Sequence, residues 1–205
     1  RRQRQMCIRD RWRADPELVW RFYQARRRQL KEVKANPAHE ALAQLANGLD
    51  SMTLITQNVD DLHERGGSCD VVHMHGQLVT LRCTVSGQSE VRMADEDLGE
   101  GFLLCSCCAE PARLRPDIVW FGEMPLHMEA IYTAVDACEV FVVVGSSGHV
   151  YPAADLVHIA KANGARTVLV NAEAPLNVDA FDEVHLGMAG ELLPELVNTW
   201  LQTTV

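Results

Sequence analysis

The segment Thr56–Gly76 reads TQNVDDLHERGGSCDVVHMHG, and it decides the predicted fold class. It follows a short apolar run, Met52–Ile55, that is typical of a buried strand. A polar cluster comes directly after that run: Gln57, Asn58 and Asp60. In a parallel α/β sheet this places the cluster at the carboxyl end of a strand, where such folds bind ligands. A second short strand is predicted at Asp70–Val72, and it leads into His73–Gly76.

The rest of the chain alternates predicted helices with apolar strands, which indicates an α/β fold with a parallel sheet. An Asp-Pro-Glu start at Asp15 predicts a helix to about Val33, with Leu18, Val19, Phe22 and Leu30 as its apolar stripe. Four more helices are expected, at 37–48, 127–138, 152–163 and 190–203. Strands are expected at 140–145, 167–170 and 184–186, the first of them buried on both faces.

Composition and charge narrow the class of protein. The chain has 205 residues, of which 47% are hydrophobic and 23% charged, as in an ordinary globular enzyme. A formal charge of −9 argues against non-specific binding to nucleic acid. There is no membrane-spanning apolar run and no visible secretory leader, so we expect no membrane partner. Of seven cysteines, three crowd into Cys105–Cys108, which favours a metal site in a reducing, cytoplasmic compartment.

At this point the sequence resembles a known family. The pattern TQNVDxLH followed by HMHG is similar to the signature of the sirtuins, the NAD-dependent protein lysine deacylases. The resemblance continues through Arg115–Glu123 (RPDIVWFGE), Gly145–Ser147 and Asn171, and it covers roughly residues 12–203. In addition, FYQARRR at Phe22–Arg28 resembles the Tyr-x-x-Arg signature of class III sirtuins of the bacterial CobB type.

The resemblance implies a reaction and a set of site residues. NAD would be consumed while an acyl group leaves lysine, giving free lysine, nicotinamide and O-acyl-ADP-ribose. By its place in the motif, His75 matches the catalytic base of the family. An imidazole is suited to removing a proton at neutral pH. His73 is a lesser candidate for the base, and His39 and His63 are expected to be structural. Val119 and Phe121 would flank the acyl-lysine. The residues implied for NAD are Gln57, Asn58, Val59, Asp60, Gly145, Ser146, Ser147, Asn171, Ala172, Glu173 and Ala189.

Tyr23 and Arg26 stand three residues apart on a predicted helix, so they are expected to share a face. In class III sirtuins the matching pair marks a preference for acidic acyl groups. A guanidinium can hold a carboxylate with two parallel hydrogen bonds, and a phenol can add a third. We therefore expect succinyl and malonyl groups as substrates beside acetyl. The alternative is a core tyrosine next to a solvated arginine run.

A small module at about 80–114 is expected to bind structural zinc. The family carries two Cys-x-x-Cys pairs there, but here Cys83 is followed by Thr84, Val85 and Ser86. We predict Cys83, Cys105 and Cys108 as ligands, with Cys107 or water completing the shell, because adjacent cysteines are awkward to use together. A metal-free remnant of the module is the alternative.

The predicted fold is thus a Rossmann-like parallel sheet, 12–79 and 115–205, with a zinc-ribbon-like insertion. Residues 1–11 are expected to be a non-matching, non-native leader, and a basic targeting arm is the alternative. The family's first strand and its Gly-Ala-Gly-x-Ser phosphate loop are absent from these residues, so we expect an N-terminally truncated sequence. Two other functions stay open: an NAD-dependent mono-ADP-ribosyltransferase on the same scaffold, and a non-catalytic binding protein left by the truncation. A dehydrogenase is disfavoured because no GxGxxG occurs.

Overall fold

The computed structural model describes residues 8–92, 98–99, 101–146, 151–175 and 177–203. The chain forms two compact units. The first unit comprises Arg1–Lys34, Ile55–Asp61 and Val72–Leu126. The second unit comprises Ala35–Leu54, Leu62–Val71 and His127–Val205. The division of the chain into a split NAD-binding domain and a zinc module between 80 and 114 stays a prediction.

Helices and strands alternate over 37–73 and over 128–203, and parallel strand pairs occur in both units. The helices are α1 (Ile8–Ala14), α2 (Pro16–Leu30), α3 (Pro37–Gly48), α4 (Leu62–Arg65), α5 (Met128–Ala137), α6 (Leu156–Ala162) and α7 (Ala189–Thr203). The strands are β1 (Ile55–Thr56), β2 (Val72–His73), β3 (Gly76–Cys83), β4 (Ser89–Val91), β5 (Leu114–Ile118), β6 (Val140–Val144), β7 (Arg166–Asn171) and β8 (Glu183–Leu186). The α/β class is therefore confirmed.

The first unit opens with two helices. Helix α1 begins at Ile8, inside the segment 1–11 that was predicted to be a non-matching leader. Helix α2 begins as predicted, because the Asp15 side chain accepts a hydrogen bond from the Leu18 N–H at 3.1 Å and Pro16 follows the cap. Its buried face differs from the predicted stripe, since Leu18 and Phe22 are exposed. The residues buried on α2 are Val19, Trp20, Tyr23, Gln24, Arg27 and Leu30.

Two small sheets complete the first unit. Strands β1 and β2 are parallel, with Thr56 opposite His73. Strand β3 lies between β4 and β5 in an antiparallel sheet. Gly76 begins β3 with φ +80°, and a Cβ there would meet the Asp117 carbonyl oxygen at 1.8 Å. Only glycine allows this close approach of the β3 and β5 backbones.

The second unit is built on a parallel sheet in the order β6-β7-β8. Strand β7 is central and its Val168–Val170 are fully buried. Strand β6 pairs only with β7 in the described part of the chain, and its residues are exposed or half-buried. The prediction that this strand is buried on both faces is therefore wrong: within the described residues β6 lies at the edge of the sheet, and none of its residues is fully buried.

Helices α3 and α7 pack together beside that sheet and supply a hydrophobic core. Helix α3 has the predicted bounds, and Ala38, Leu42 and Leu45 are among its buried residues. Asn36 caps it, and the Asn36 N–H donates to His39 Nδ1 at 3.1 Å, which gives His39 a structural role as expected. A membrane-spanning helix does not occur among the residues that the structure describes.

Candidate functional site

The candidate catalytic histidine lies just past the parallel pair β1–β2. Both strands end at the same edge, so the loop after Thr56 and the loop after His73 are neighbours. His75 Nδ1 lies 3.2 Å from the Gln57 carbonyl oxygen. A carbonyl can only accept, so this contact assigns the proton to Nδ1 and leaves a lone pair on Nε2. His73, by contrast, is buried in β2.

His75 is half-buried, and its surroundings act on its charge state. Burial lowers the pKa of the imidazole below its ordinary 6.5, although the hydrogen bond to Gln57 acts in the opposite direction. The ring is therefore neutral at pH 7. A neutral imidazole with a free Nε2 is the form that accepts a proton, which is what a general base requires.

The predicted cofactor residues after β1 have unequal environments. Asn58 is exposed, and its backbone N–H donates to Thr56 Oγ1 at 3.1 Å. Gln57 and Asp60 are both half-buried. The carbonyl of Gln57 contacts His75, and Asp60 follows at the end of the same loop. Val59 packs against a hydrophobic cluster that includes Tyr23 and Leu78, and its carbonyl accepts the Leu78 N–H at 2.7 Å. Val59 thus anchors the loop that presents the polar residues.

The segment after β5 is held against His75. The Val119 N–H donates to the His75 carbonyl oxygen at 2.9 Å. Val119 is half-buried, whereas Phe121 exposes 83% of its surface. An exposed phenylalanine two residues from this contact is apolar surface free to cover an acyl-lysine stem. The two residues predicted to flank the substrate therefore lie on the loop that is fastened to the candidate base.

Tyr23 and Arg26 do not meet in this structure. Tyr23 is buried, and its hydroxyl oxygen accepts a hydrogen bond from Trp120 Nε1 at 2.9 Å. Arg26 is exposed; its guanidinium lies 5.4 Å from the Phe22 ring and donates to Gln29 Oε1 at 3.2 Å. Trp120 was not predicted as a site residue, because its link to Tyr23 spans 97 positions and leaves no local pattern.

A second group of predicted cofactor residues follows the parallel strands of the second unit. Gly145 ends β6 with φ +64°, and the Asn171 side-chain amide at the end of β7 donates to the carbonyl oxygens of Ser146 (3.2 Å) and Glu173 (2.8 Å). Asn171 thus holds the two loops together. Ala172 and Glu173 are exposed. Two more residues were predicted to contact NAD. Ala189 packs against a hydrophobic cluster, and Ser147 lies outside the described residues.

Four cysteine sulfurs converge in the first unit. The Sγ atoms of Cys83, Cys105, Cys107 and Cys108 all lie within 4.8 Å of one another. The Cys83–Cys108 and Cys107–Cys108 sulfurs are 3.7 and 3.8 Å apart. Four sulfurs bound to one tetrahedral zinc ion are about 3.8 Å from each other.

This cluster therefore fits a structural zinc site. Hydrogen bonds from Ser86 lower the pKa of the Cys83 thiol to about 5, whereas the hydrogen bond to Cys83 raises the pKa of the Cys108 thiol to about 12, so the spacing of the sulfurs and not their pKa values supports a metal site. The adjacent Cys107 and Cys108 both join the cluster, so Cys107 completes the donor set that the sequence left undecided. Three of these four cysteines, Cys83, Cys105 and Cys108, were predicted as zinc ligands, and their role as ligands stays a prediction.

Comparisons with known proteins agree with this geometry. The Sir2 family profile matches residues 1–152, a range that includes the leader for which no match was expected. A protein from Yersinia pseudotuberculosis named NAD-dependent protein deacylase is 49% identical over 195 residues, which are 94% of this chain and 69% of that protein.

Solved structures give the same result. A Sir2 homologue in complex with NAD has a TM-score of 0.84 at 37% identity, covering 94% of this chain and 75% of that one. A Sir2 protein bound to a myristoylated histone peptide has a TM-score of 0.76 at 33% identity, covering 97% and 85%. The fold and the polar groups at the strand ends are those of an α/β protein of the NAD-binding class, with a cluster of four cysteines that fits a structural zinc ion. This chain belongs to the Sir2 family.

Proposed function

We propose that this protein is an NAD-dependent protein lysine deacylase. The observation that carries the proposal is His75, a neutral imidazole whose Nδ1 contacts a backbone carbonyl and whose Nε2 is left as the base. The name of the Yersinia relative, NAD-dependent protein deacylase, supports it, as do the NAD and acylated-peptide complexes of the structural relatives.

The residues present fit NAD as the second substrate. Polar groups follow the carboxyl ends of parallel strands in both units, as dinucleotide-binding sheets require. When bound, NAD supplies a ribose carbon from which nicotinamide can leave. Gln57, Asn58 and Asp60 orient the nicotinamide ribose, while Gly145, Ser146 and Asn171 take the adenosine part. NAD binding thus belongs to 12–79 and 115–205, and zinc to the module between them.

His75 then acts on a ribose hydroxyl. Its Nε2 removes the hydroxyl proton, and the Gln57 carbonyl, which accepts from Nδ1–H, stabilises the cation that forms. Val119 and Phe121 flank the acyl-lysine and limit the access of water. The zinc cluster has no part in these steps and holds the β3–β5 region together.

Tyr23 and Arg26 make acidic acyl groups, succinyl and malonyl, substrates beside acetyl. A phenol hydroxyl and a guanidinium together match a carboxylate better than a methyl group. Arg26 is exposed and its contacts are with other surface side chains, so it can turn towards an acyl carboxylate. The proposed location is the cytoplasm, where thiols remain free to bind zinc.

A matched pair of histidine variants tests the deacylase function. An acyl-lysine peptide is incubated with NAD, and free lysine peptide is measured by mass spectrometry. His75→Ala should lose activity by a factor of about 100 or more, since a general base contributes that much. His158→Ala is the control, because His158 is exposed on α6 and outside the site. Undiminished deacylation by His75→Ala would contradict the assignment, as would an NAD-independent reaction.

A further inference from the structure

A chain of polar contacts connects Tyr23 with the substrate loop through Trp120. The Trp120 backbone N–H donates to Glu123 Oε2 at 2.9 Å. Arg115 donates to both carboxylate oxygens of Glu123, each at 2.8 Å, and its guanidinium lies 3.9 Å from the Trp120 ring centroid. Trp120 is thus fixed at its backbone and on one ring face. Its indole N–H, at the ring edge, reaches Tyr23.

The chemistry of this last hydrogen bond has only one direction. An indole nitrogen can donate but cannot accept, so the Tyr23 oxygen must be the acceptor. A phenol has a single O–H, and that hydrogen stays available to a further acceptor. Among the residues that the structure describes, Trp120 is the one hydrogen-bond partner of the Tyr23 hydroxyl.

The Tyr23 hydroxyl remains protonated at neutral pH. Burial raises the pKa of this phenol above its ordinary 10, while the Trp120 hydrogen bond and the Arg115 charge act in the opposite direction. The Tyr23 oxygen already accepts a hydrogen bond from Trp120, so its O–H group can donate a second hydrogen bond to a ligand. Its preferred ligand is an anion, since hydrogen bonds to charged acceptors are about twice as strong as neutral ones.

We propose that Trp120 is a positioning residue for acyl selection, which fixes Tyr23 as a hydrogen donor to the terminal carboxylate of a succinyl or malonyl group. This inference rests on the proposed deacylase function and deepens it. Trp120 stands between Val119 and Phe121, so the loop that flanks the acyl-lysine also sets the orientation of its selecting hydroxyl. Arg115 and Glu123 act one step further away, by holding the Trp120 ring.

The first test compares selectivity, defined as kcat/KM for a succinyl-lysine peptide divided by kcat/KM for its acetyl-lysine counterpart. Trp120→Phe keeps an aromatic ring and removes the donor. Trp120→Phe and Tyr23→Phe should each lower selectivity about tenfold, mainly through KM for the succinyl peptide, as expected for one hydrogen bond. The double variant should be no less selective than Tyr23→Phe. Trp12→Phe is the matched control, because the Trp12 ring packs 5.7 Å from Trp120 without bonding Tyr23. Additive losses, or unchanged selectivity in Trp120→Phe, would overturn the inference.

A second measurement separates this inference from the proposed function. The indole N–H resonance of Trp120, identified by its loss in Trp120→Phe, should move in Tyr23→Phe. It should also move when succinyl peptide is added to the wild type, and not when acetyl peptide is added. If both peptides are deacylated but Tyr23→Phe stays selective, the deacylase function stands and the inference falls. If neither peptide is deacylated, the function fails, and the resonance decides alone: a response to the succinyl peptide supports the positioning role, and no response refutes it.

Discussion

Replacement of single cysteines should remove zinc and unfold part of the first unit. The four sulfurs already have the spacing of a zinc tetrahedron, with measured separations of 3.7 and 3.8 Å against an ideal of about 3.8 Å. Cys83 and Cys105 are also buried in a cluster with Trp20, Leu81 and Leu114. Loss of the metal therefore disturbs a hydrophobic core as well as a surface turn.

The size of the effect follows from the energy of such sites. Structural zinc contributes roughly 10–16 kcal/mol in small domains, or about 3 kcal/mol for each of four ligands. One Cys→Ser change should accordingly weaken zinc binding by about 100-fold. Since whole domains are stable by only about 5–15 kcal/mol, complete removal of zinc should unfold the β3–β5 region.

The assay combines zinc content with tryptophan fluorescence. Zinc per chain is measured by mass spectrometry after dialysis against a chelator of intermediate strength. Three of the four tryptophans, Trp12, Trp20 and Trp120, lie in the first unit and report on its unfolding. Cys83→Ser, Cys107→Ser and Cys108→Ser should each lose zinc, whereas Cys69→Ser, at an exposed cysteine outside the cluster, should keep one zinc per chain. Full zinc occupancy in Cys107→Ser would refute the four-thiolate site, and a zinc-free wild type would refute metal binding altogether.

Three further outcomes are expected. Gly76→Ala should lower the free energy of unfolding in urea by about 3 kcal/mol or more, because it adds a backbone clash at 1.8 Å to the strain of φ +80°. The control Gly87→Ala, with φ +74° and open space around it, should lower the free energy of unfolding by only about 1–2 kcal/mol. Equal losses in the two variants would disprove the clash. The acid limb of kcat/KM should have its midpoint below pH 6.5, because burial lowers the pKa of His75 and the neutral base persists to lower pH; a midpoint above 6.5 would contradict the assignment. Hydrogen bonds from Lys161 and Thr167 lower the pKa of Asp182 to about 2, so its contribution to stability is present above the unfolded pKa of about 3.9 and is lost as the pH falls towards 2. Urea titrations of wild type and Asp182→Asn should therefore converge over that range, and a constant difference would show that Asp182 does not titrate there.

Local patterns predicted the elements well where one physical signal dominated. The Asp15-Pro16 start and the bounds of α3 follow from capping groups and proline, which act within a few residues. The parallel strand β7 follows from an apolar run between turn residues. The edge position of β6 could not be predicted in this way, because an apolar run does not state how many neighbours a strand has.

The face of α2 shows why polar residues mislead such patterns. The buried positions repeat at Val19, Tyr23 and Arg27, a regular i, i+4 row. Arg27 belongs to this row because its guanidinium donates to the Leu78 carbonyl oxygen at 2.6 Å, a partner 51 residues away. From the sequence alone Arg27 is one of three adjacent arginines, so the apolar Phe22 was assigned to the buried stripe instead, although it is exposed.

In the candidate site, too, residues whose role depends on nearby sequence could be predicted, and residues whose role depends on distant contacts could not. His75 could be predicted from a motif, because its role depends on the strand end and on the backbone carbonyl of Gln57 close to it. The Tyr23–Arg26 pair was predicted from its resemblance to the Tyr-x-x-Arg signature, and its spacing predicts a common helix face. Spacing does not predict a common environment: one turn of helix separates a buried hydroxyl from a solvated guanidinium. What decides the environment of Tyr23 is Trp120, which the fold brings to it across 97 positions. A selectivity device of this kind is therefore a property of the tertiary structure, and substitutions at Trp120, Arg115 or Glu123 should alter acyl choice while the Tyr-x-x-Arg motif stays intact.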